Sequence, residues 1–291
     1  MNGNVEIPVR VTRDHKLARE WELVLVSQGL SPSLRLTGDG VVISVPEQEV
    51  ERALTGLAAY EAENPPQPEE DDRPEGTTGL PAGFAVAGML LVFFYVTTIQ
   101  NPTVPWFERG SANAERILIG ELWRTVTALT LHADFVHAVT NAVAAAVFFA
   151  ALYGMLGAGL GSALILLAGA GGNLANAVLQ GSPHVSIGAS TAIFGAVGML
   201  GGLGMAKRRR SATRRRRAWV PIAAALALLA VLGAGGPRVD VLAHLFGFVL
   251  GGVFGILSAL VIPYRPGLFV QWACGSAAFA VVICCWIVAL R

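Results

Sequence analysis

Apolar and polar positions divide this chain into two unlike halves. Up to residue 62 the apolar residues come singly and with period. Leu17, Trp21, Val24 and Leu25 share one face of a helix over Lys16 to Gln28, and Gly29 supplies its stop. Val5 to Thr12 reads as a strand, while Ser33–Thr37 and Val41–Val45 flank Gly38-Asp39-Gly40, a hairpin signal. Pro46 opens a second helix with Val50, Leu54 and Leu57 on one face. The pattern predicts a small soluble α+β domain over residues 1–62. Residues 63–79 are acidic and rich in proline, with too few apolar side chains to repay ordering, and read as a flexible linker.

From Leu80 the pattern changes to long apolar runs. Seven segments follow, at Leu80–Gln100, Phe135–Tyr153, Leu156–Leu179, Ile187–Ala206, Ala218–Leu232, Val239–Ile262 and Leu268–Leu290. Runs of this length predict a mainly α, polytopic membrane helix bundle, with residues 80–262 as a six-helix domain and 263–291 as a seventh helix. Between the first two segments, Asn101 to Asp134 forms a long link with amphipathic content of its own.

Composition sharpens this division. Across 291 residues, 54% are hydrophobic and 14% charged, far from a soluble globular average. Fifteen of the twenty acids lie between Glu6 and Glu75; the others are Glu108, Glu115, Glu121, Asp134 and Asp240. The first thirty residues are too polar for a cleavable signal peptide, and no basic, aromatic-interleaved surface points to nucleic acid. Cys274, Cys284 and Cys285 fit no metal spacing and read as small packing residues. His15 reads as a solvated side chain.

Orientation follows from the cations. Lys207 to Arg210 and Arg214 to Arg217 place eight of them in one short link, which marks that link as cytoplasmic. The N-terminal domain is then cytoplasmic too, in a multi-pass protein of a bacterial inner membrane. Segments two, four and six all enter from the outer face. His137, Ser190 and His244 lie near those three entry points, within roughly one or two turns of each other in depth at about 1.5 Å per residue. Polar groups inside a membrane segment are costly, so three at one depth are expected to face one another.

Each has a local context. Ala243, Gly247, Gly251 and Gly255 recur every four residues and form a smooth ridge beside His244, suited to close helix contact. His137 and Asn141 lie four apart on one helix face, and both can donate a hydrogen bond. No His-Glu-x-x-His occurs, and the cluster implies neither metal nor cofactor. His132 and Asp134 read as parts of the outer link.

Trp123-Arg124, His137-x-x-x-Asn141, Gly188-x-Ser190 and Ala243-His244-x-x-Gly247-x-x-x-Gly251 occur in that order. This set resembles the rhomboid family of intramembrane serine proteases, over roughly Leu80 to Ile262. The resemblance implies Ser190 as nucleophile and His244 as its general base and acid, a pair without a third carboxylate. It implies His137 and Asn141 as oxyanion donors, with Gly188 and Phe194 shaping the site and Phe194 packed on the histidine. Thr191 departs from the glycine common after the nucleophile and is expected to narrow the site. The implied function is a serine endopeptidase acting on transmembrane or membrane-anchored proteins near the outer face, with the lipid bilayer as its setting. The N-terminal domain has no identified partner.

Two rival readings make different demands. A catalytically inactive client-binding protein of the same fold is marked by loss of the serine or histidine, and both are present. A transporter or cofactor carrier using His137 and His244 as ligands calls for further intramembrane charges or paired histidines, which the apolar segments lack. The topology is directly testable. Impermeant labelling of a tag between Lys207 and Arg217 is expected only from the inside; labelling from outside inverts the orientation.

Overall fold

The computed structural model describes residues 6–12, 14–38, 40–64, 79–101, 103–210, 223, 240–262 and 265–291, without the side chains of Lys16 and 207–210. The chain divides into two compact units, Met1–Arg73 and Pro74–Arg291.

In the first unit, β1 (Glu6–Thr12), α1 (His15–Ser27), β2 (Ser33–Thr37), β3 (Gly40–Pro46) and α2 (Val50–Glu63) follow in order. The antiparallel sheet runs β1-β3-β2, with β2 and β3 paired as the expected hairpin. Alternation along β3 turns Val41, Ile43 and Val45 inward, as period-two side chains require. Ile43 and Val45 meet Trp21 and Leu25 of α1 and Ala53 and Leu57 of α2. The face expected on α2 is partly corrected: Leu54 is 38% exposed, and the smaller Ala53 and Gly56 are buried instead. A side chain at position 56 would meet the flexible end of Gln28.

The second unit begins with α3 (Leu80–Phe94), which continues as a π-helical turn over Tyr95–Gln100. The outer link then carries α4 (Trp106–Gly110), β4 (Ala112–Asn113), α5 (Ala114–Leu118) and α6 (Arg124–Thr127). Long helices follow: α7 (Phe135–Leu156), α8 (Ala158–Gln180), then β5 (Val185–Ser186), α9 (Ser190–Arg210), α10 (Val241–Val261) and α11 (Leu268–Ala289). Among the described residues, five helices are long and apolar enough to cross a membrane, and Ser190–Ala206 is a shorter apolar helix. The segment expected at 218–232 lies outside the described residues apart from Ala223. The fourth segment starts later than expected, at Ser190, because Gly188 has φ near +120° and the chain is not yet helical there.

Contact between α9 and α10 is made backbone to backbone. A Cβ on Gly247 would strike the carbonyl oxygen of Thr191, one on Gly251 that of Gly195, and one on Gly255 that of Met199. The reciprocal positions Gly198 and Gly202 have the same tightness against Phe248 and Gly252. The ridge expected from sequence is therefore the helix seam. Lipid tails are as apolar as the side chains, so close van der Waals fit is the main force available to hold such a seam.

The last helix, α11, is tied at both ends. Gln271 Oε1 accepts the N–H groups of Gly159 and Leu160 at 2.9 and 3.1 Å, and its Nε2 donates to the Leu156 carbonyl at 2.8 Å. It thus satisfies amides at the start of α8 that no turn of that helix can reach. At the other end Trp286 Nε1 donates to Thr130 Oγ1 at 3.1 Å, and its ring packs on Phe93 and Trp106.

The seam makes a direct prediction. Gly251→Leu is expected to cost about 2 kcal/mol or more through overpacking, lowering the thermal midpoint in detergent. Gly88→Ala, where an added Cβ meets nothing within 4 Å, is expected to leave the midpoint unchanged or slightly raised.

Candidate active site

Asp240 starts α10. Its Oδ1 accepts the Ala243 N–H at 3.1 Å, an N-cap that leaves His244 in the first turn. Asp134 does the same for α7, accepting the His137 N–H at 2.8 Å. On α9, Ser190 is the first helical residue, directly after the chain has turned through Gly188. Local capping and turn chemistry thus put all three polar residues at helix starts.

The seam then brings two of them together. Ser190 Oγ lies 2.7 Å from His244 Nε2. In the tautomer with hydrogen on Nδ1, the hydroxyl donates to Nε2, the arrangement a serine needs to lose its proton on attack. Phe194, one turn along α9, lies against the imidazole with ring centroids 4.6 Å apart and planes tilted by 34°. His244 is buried, so its ring is fixed by the stacking and by the hydroxyl.

His137 approaches from the other side. The Ala133 N–H donates to its Nδ1 at 3.4 Å, so a neutral ring carries its hydrogen on Nε2. That Nε2 faces Gly188: a Cβ built there would lie 2.7 Å from His137 Nε2 and 3.6 Å from Ser190 Oγ. The absent side chain leaves a space bounded by a donor on one side and the serine oxygen on the other. Asn141 is buried below, and its Nδ2 donates to the His137 carbonyl at 3.0 Å. Ser190, His244, Phe194, Gly188 and His137 are thus gathered; Asn141 is held on His137 rather than on the serine.

Thr191 does not narrow this space. It is buried, with its methyl group toward Gly172 of α8 and Gly247 of α10. A β-branched residue fits there because two glycines leave a slot between the helices. The pairing Gly172–Thr191–Gly247 involves three segments distant in sequence, and no local pattern signals it.

Sequence reasoning also undervalued His132. It is 0% exposed, and its ring meets His137 edge-on with centroids 5.1 Å apart. Burial, aided by His137, pushes its pKa down to about 4 against a smaller upward pull from the Thr130 backbone. Its five-residue spacing before His137 was visible, but a loop position carries no periodicity from which burial could be read.

Residues 119–261 match the family model described as Rhomboid domain. The matched span takes in the second half of the outer link and runs from α7 through α10, leaving out the N-terminal unit, α3 to α5 and α11. The chain is 28% identical over 179 residues to YdcA of Bacillus subtilis (strain 168), a span of 60% of this chain and 84% of that protein. It is 30% identical over 199 residues to RHOMBOID-like protein 6, mitochondrial, of Arabidopsis thaliana, covering 64% and 62% of the two chains. A third relative, Rhomboid protease GluP of Bacillus subtilis (strain 168), is 34% identical over 119 residues, 40% of this chain and 23% of that one. The chain thus spans less than two thirds of the last two.

The buried imidazole gives a pH prediction. An unfolded histidine takes up a proton near pH 6.5, whereas folded His132 refuses it down to about pH 4. Its contribution to stability is complete above about pH 6.5 and is lost as pH falls toward 4. The thermal midpoint in detergent is expected to drop over that window, and His132→Leu is expected to flatten the drop.

Proposed function

This chain is a rhomboid family protein and a multi-pass integral membrane protein, and from that premise we propose that it is an intramembrane serine endopeptidase. Ser190 is the nucleophile and His244 its general base and acid. The observation that carries this reading is the 2.7 Å contact between Ser190 Oγ and His244 Nε2, made between two membrane helices with no room for slack.

Ser190 Oγ attacks the scissile carbonyl carbon while His244 Nε2 takes the hydroxyl proton. The carbonyl oxygen becomes an oxyanion in the space beside Gly188, where His137 Nε2–H and the Ser190 N–H are the nearest donors and Asn141 lies within a turn. Collapse of the tetrahedral intermediate breaks the C–N bond as His244 gives its proton to the leaving amine. Water then repeats the sequence on the acyl ester: His244 removes its proton, the hydroxide adds, and the serine departs with that proton.

The substrates are transmembrane or membrane-anchored proteins. Cleavage lies near the outer face, where helices α7, α9 and α10 all begin if the cation-rich link is cytoplasmic. A substrate helix that unwinds easily, with a small residue at the cleaved bond, suits the narrow space at Gly188. The setting is a bacterial inner membrane with the N-terminus inside. The functional division is a cytoplasmic domain at 1–62, a linker at 63–79, a catalytic domain at 80–262 and a seventh helix at 263–291.

The test is cleavage of a model transmembrane substrate in liposomes by the wild type, Ser190→Ala and His244→Ala. Both variants are expected to lose at least about 10³ in rate; equal cleavage by all three proteins rejects the reading. Asn141→Ala is expected to slow turnover by about 10²-fold while keeping its helical circular dichroism. Unfolding would instead assign Asn141 to the framework.

A further inference from the structure

A second polar cluster sits where the turn after α8 meets the start of α10. Asp240 Oδ2 lies 2.7 Å from His184 Nε2 and accepts from Asn176 Nδ2 at 2.6 Å. Gln180 Nε2 in turn donates to Asn176 Oδ1 at 3.4 Å. An ionised carboxylate has no proton to give, so His184 Nε2 carries the hydrogen whether the ring is neutral or charged. The contact therefore survives neutralisation of the imidazole.

The position of this cluster in the chain matters more than its strength. His184 is followed at once by β5, and Gly188 and Ser190 lie within the next six residues. Asp240 precedes His244 by one helical turn, and the His244 N–H donates to the Asp240 carbonyl at 3.1 Å. Asp240, through His184 and the Ser186 side chain, thus joins the segment that delivers the serine to the turn that delivers the histidine, and Asn176 anchors both to α8. The outer link holds the same segment from its far side, through Ala114 N–H to the His184 carbonyl and Gly188 N–H to the Ala128 carbonyl, both at 2.9 Å.

We propose that His184 and Asp240 are positioning residues: their side chains clamp the Ser190 segment to the start of α10 and so set the alignment of Ser190 with His244. Neither touches the reacting atoms. The proposal rests on the protease reading above. The clamp is separable from ordinary helix capping, because the cap uses Oδ1 toward Ala243 and the clamp uses Oδ2 toward His184. Asparagine caps a helix about as well as aspartate, so Asp240→Asn keeps the cap. It puts an amide, or a neutral oxygen, where the anionic oxygen received two donors.

The experiment uses the full chain in liposomes with a model transmembrane substrate, and labelling of Ser190 by a fluorophosphonate. His184→Leu and Asp240→Asn are each expected to lower kcat about 10- to 100-fold, the scale of a misalignment near 1 Å. KM and the thermal midpoint are expected to stay close to wild type, and Ser190 labelling to slow in parallel with kcat. The double variant is expected to be no worse than the more severe single one, since both break the same contact. His184→Gln, which can still donate to Asp240, is expected to recover much of the loss. A folded His184→Leu with wild-type kcat, fully additive losses, or a kcat loss that follows the thermal midpoint overturns the clamp and leaves the protease reading standing. A wild type that neither cleaves nor labels at Ser190 overturns both.

Discussion

Along the line where Gly247, Gly251 and Gly255 meet the carbonyls of Thr191, Gly195 and Met199, no side chain separates α9 from α10. Helices that meet through ordinary side chains keep their axes roughly 8–10 Å apart. Serine reaches only one carbon from its backbone, so its hydroxyl meets a residue of a neighbouring helix only when the backbones are nearly touching. The 2.7 Å contact of Ser190 with His244 is thus a product of the seam. Phe194 stacks on the imidazole from the same face of α9, and Thr191 fills the slot between Gly172 and Gly247 that the seam leaves. Packing that would count as featureless in another helix pair is here the condition for the contact between Ser190 and His244.

The roles proposed for the two histidines need opposite proton placement. A base acting through His244 Nε2 needs that nitrogen free of hydrogen while it faces the serine. An oxyanion donor acting through His137 Nε2 needs that nitrogen to carry one. The Ala133 N–H pointing at His137 Nδ1 settles the second case, because a ring nitrogen that accepts a hydrogen bond leaves the proton to the other. The α7 cap from Asp134 sets the pitch of that turn.

What was legible in the sequence followed length and period. Runs near twenty apolar residues give membrane helices, and the four-residue glycine spacing gives the seam. Order and depth then bring Ser190, His244 and His137 to one level. Errors arose where small residues or turns decide. Leu54 looked like core because it is large, yet the smaller Ala53 and Gly56 are the buried ones, with Ala53 packed among Trp21, Leu25 and Ile43. The start of α9 looked earlier because Ile187 is apolar, but Gly188 bends the chain first. Thr191, His132 and the His184–Asp240 contact depend on groups far apart in the chain, which a one-dimensional pattern does not bring together. Asp240 is one of the five acids after Glu75, and nothing in the linear pattern joins it to His184.

Gln271 carries a consequence for how such a chain is made. The amides of Gly159 and Leu160 and the carbonyl of Leu156, at the turn between α7 and α8, are satisfied by a side chain more than a hundred residues later. Chains are synthesised from the N-terminus, so α7 through α10 leave the ribosome while that turn is still bare. Until α11 docks, the turn must borrow water or lipid headgroups at the membrane edge. The bundle with α11 docked therefore differs chemically from every nascent form that lacks it, and a half-buried amide-to-glutamine contact marks that docking.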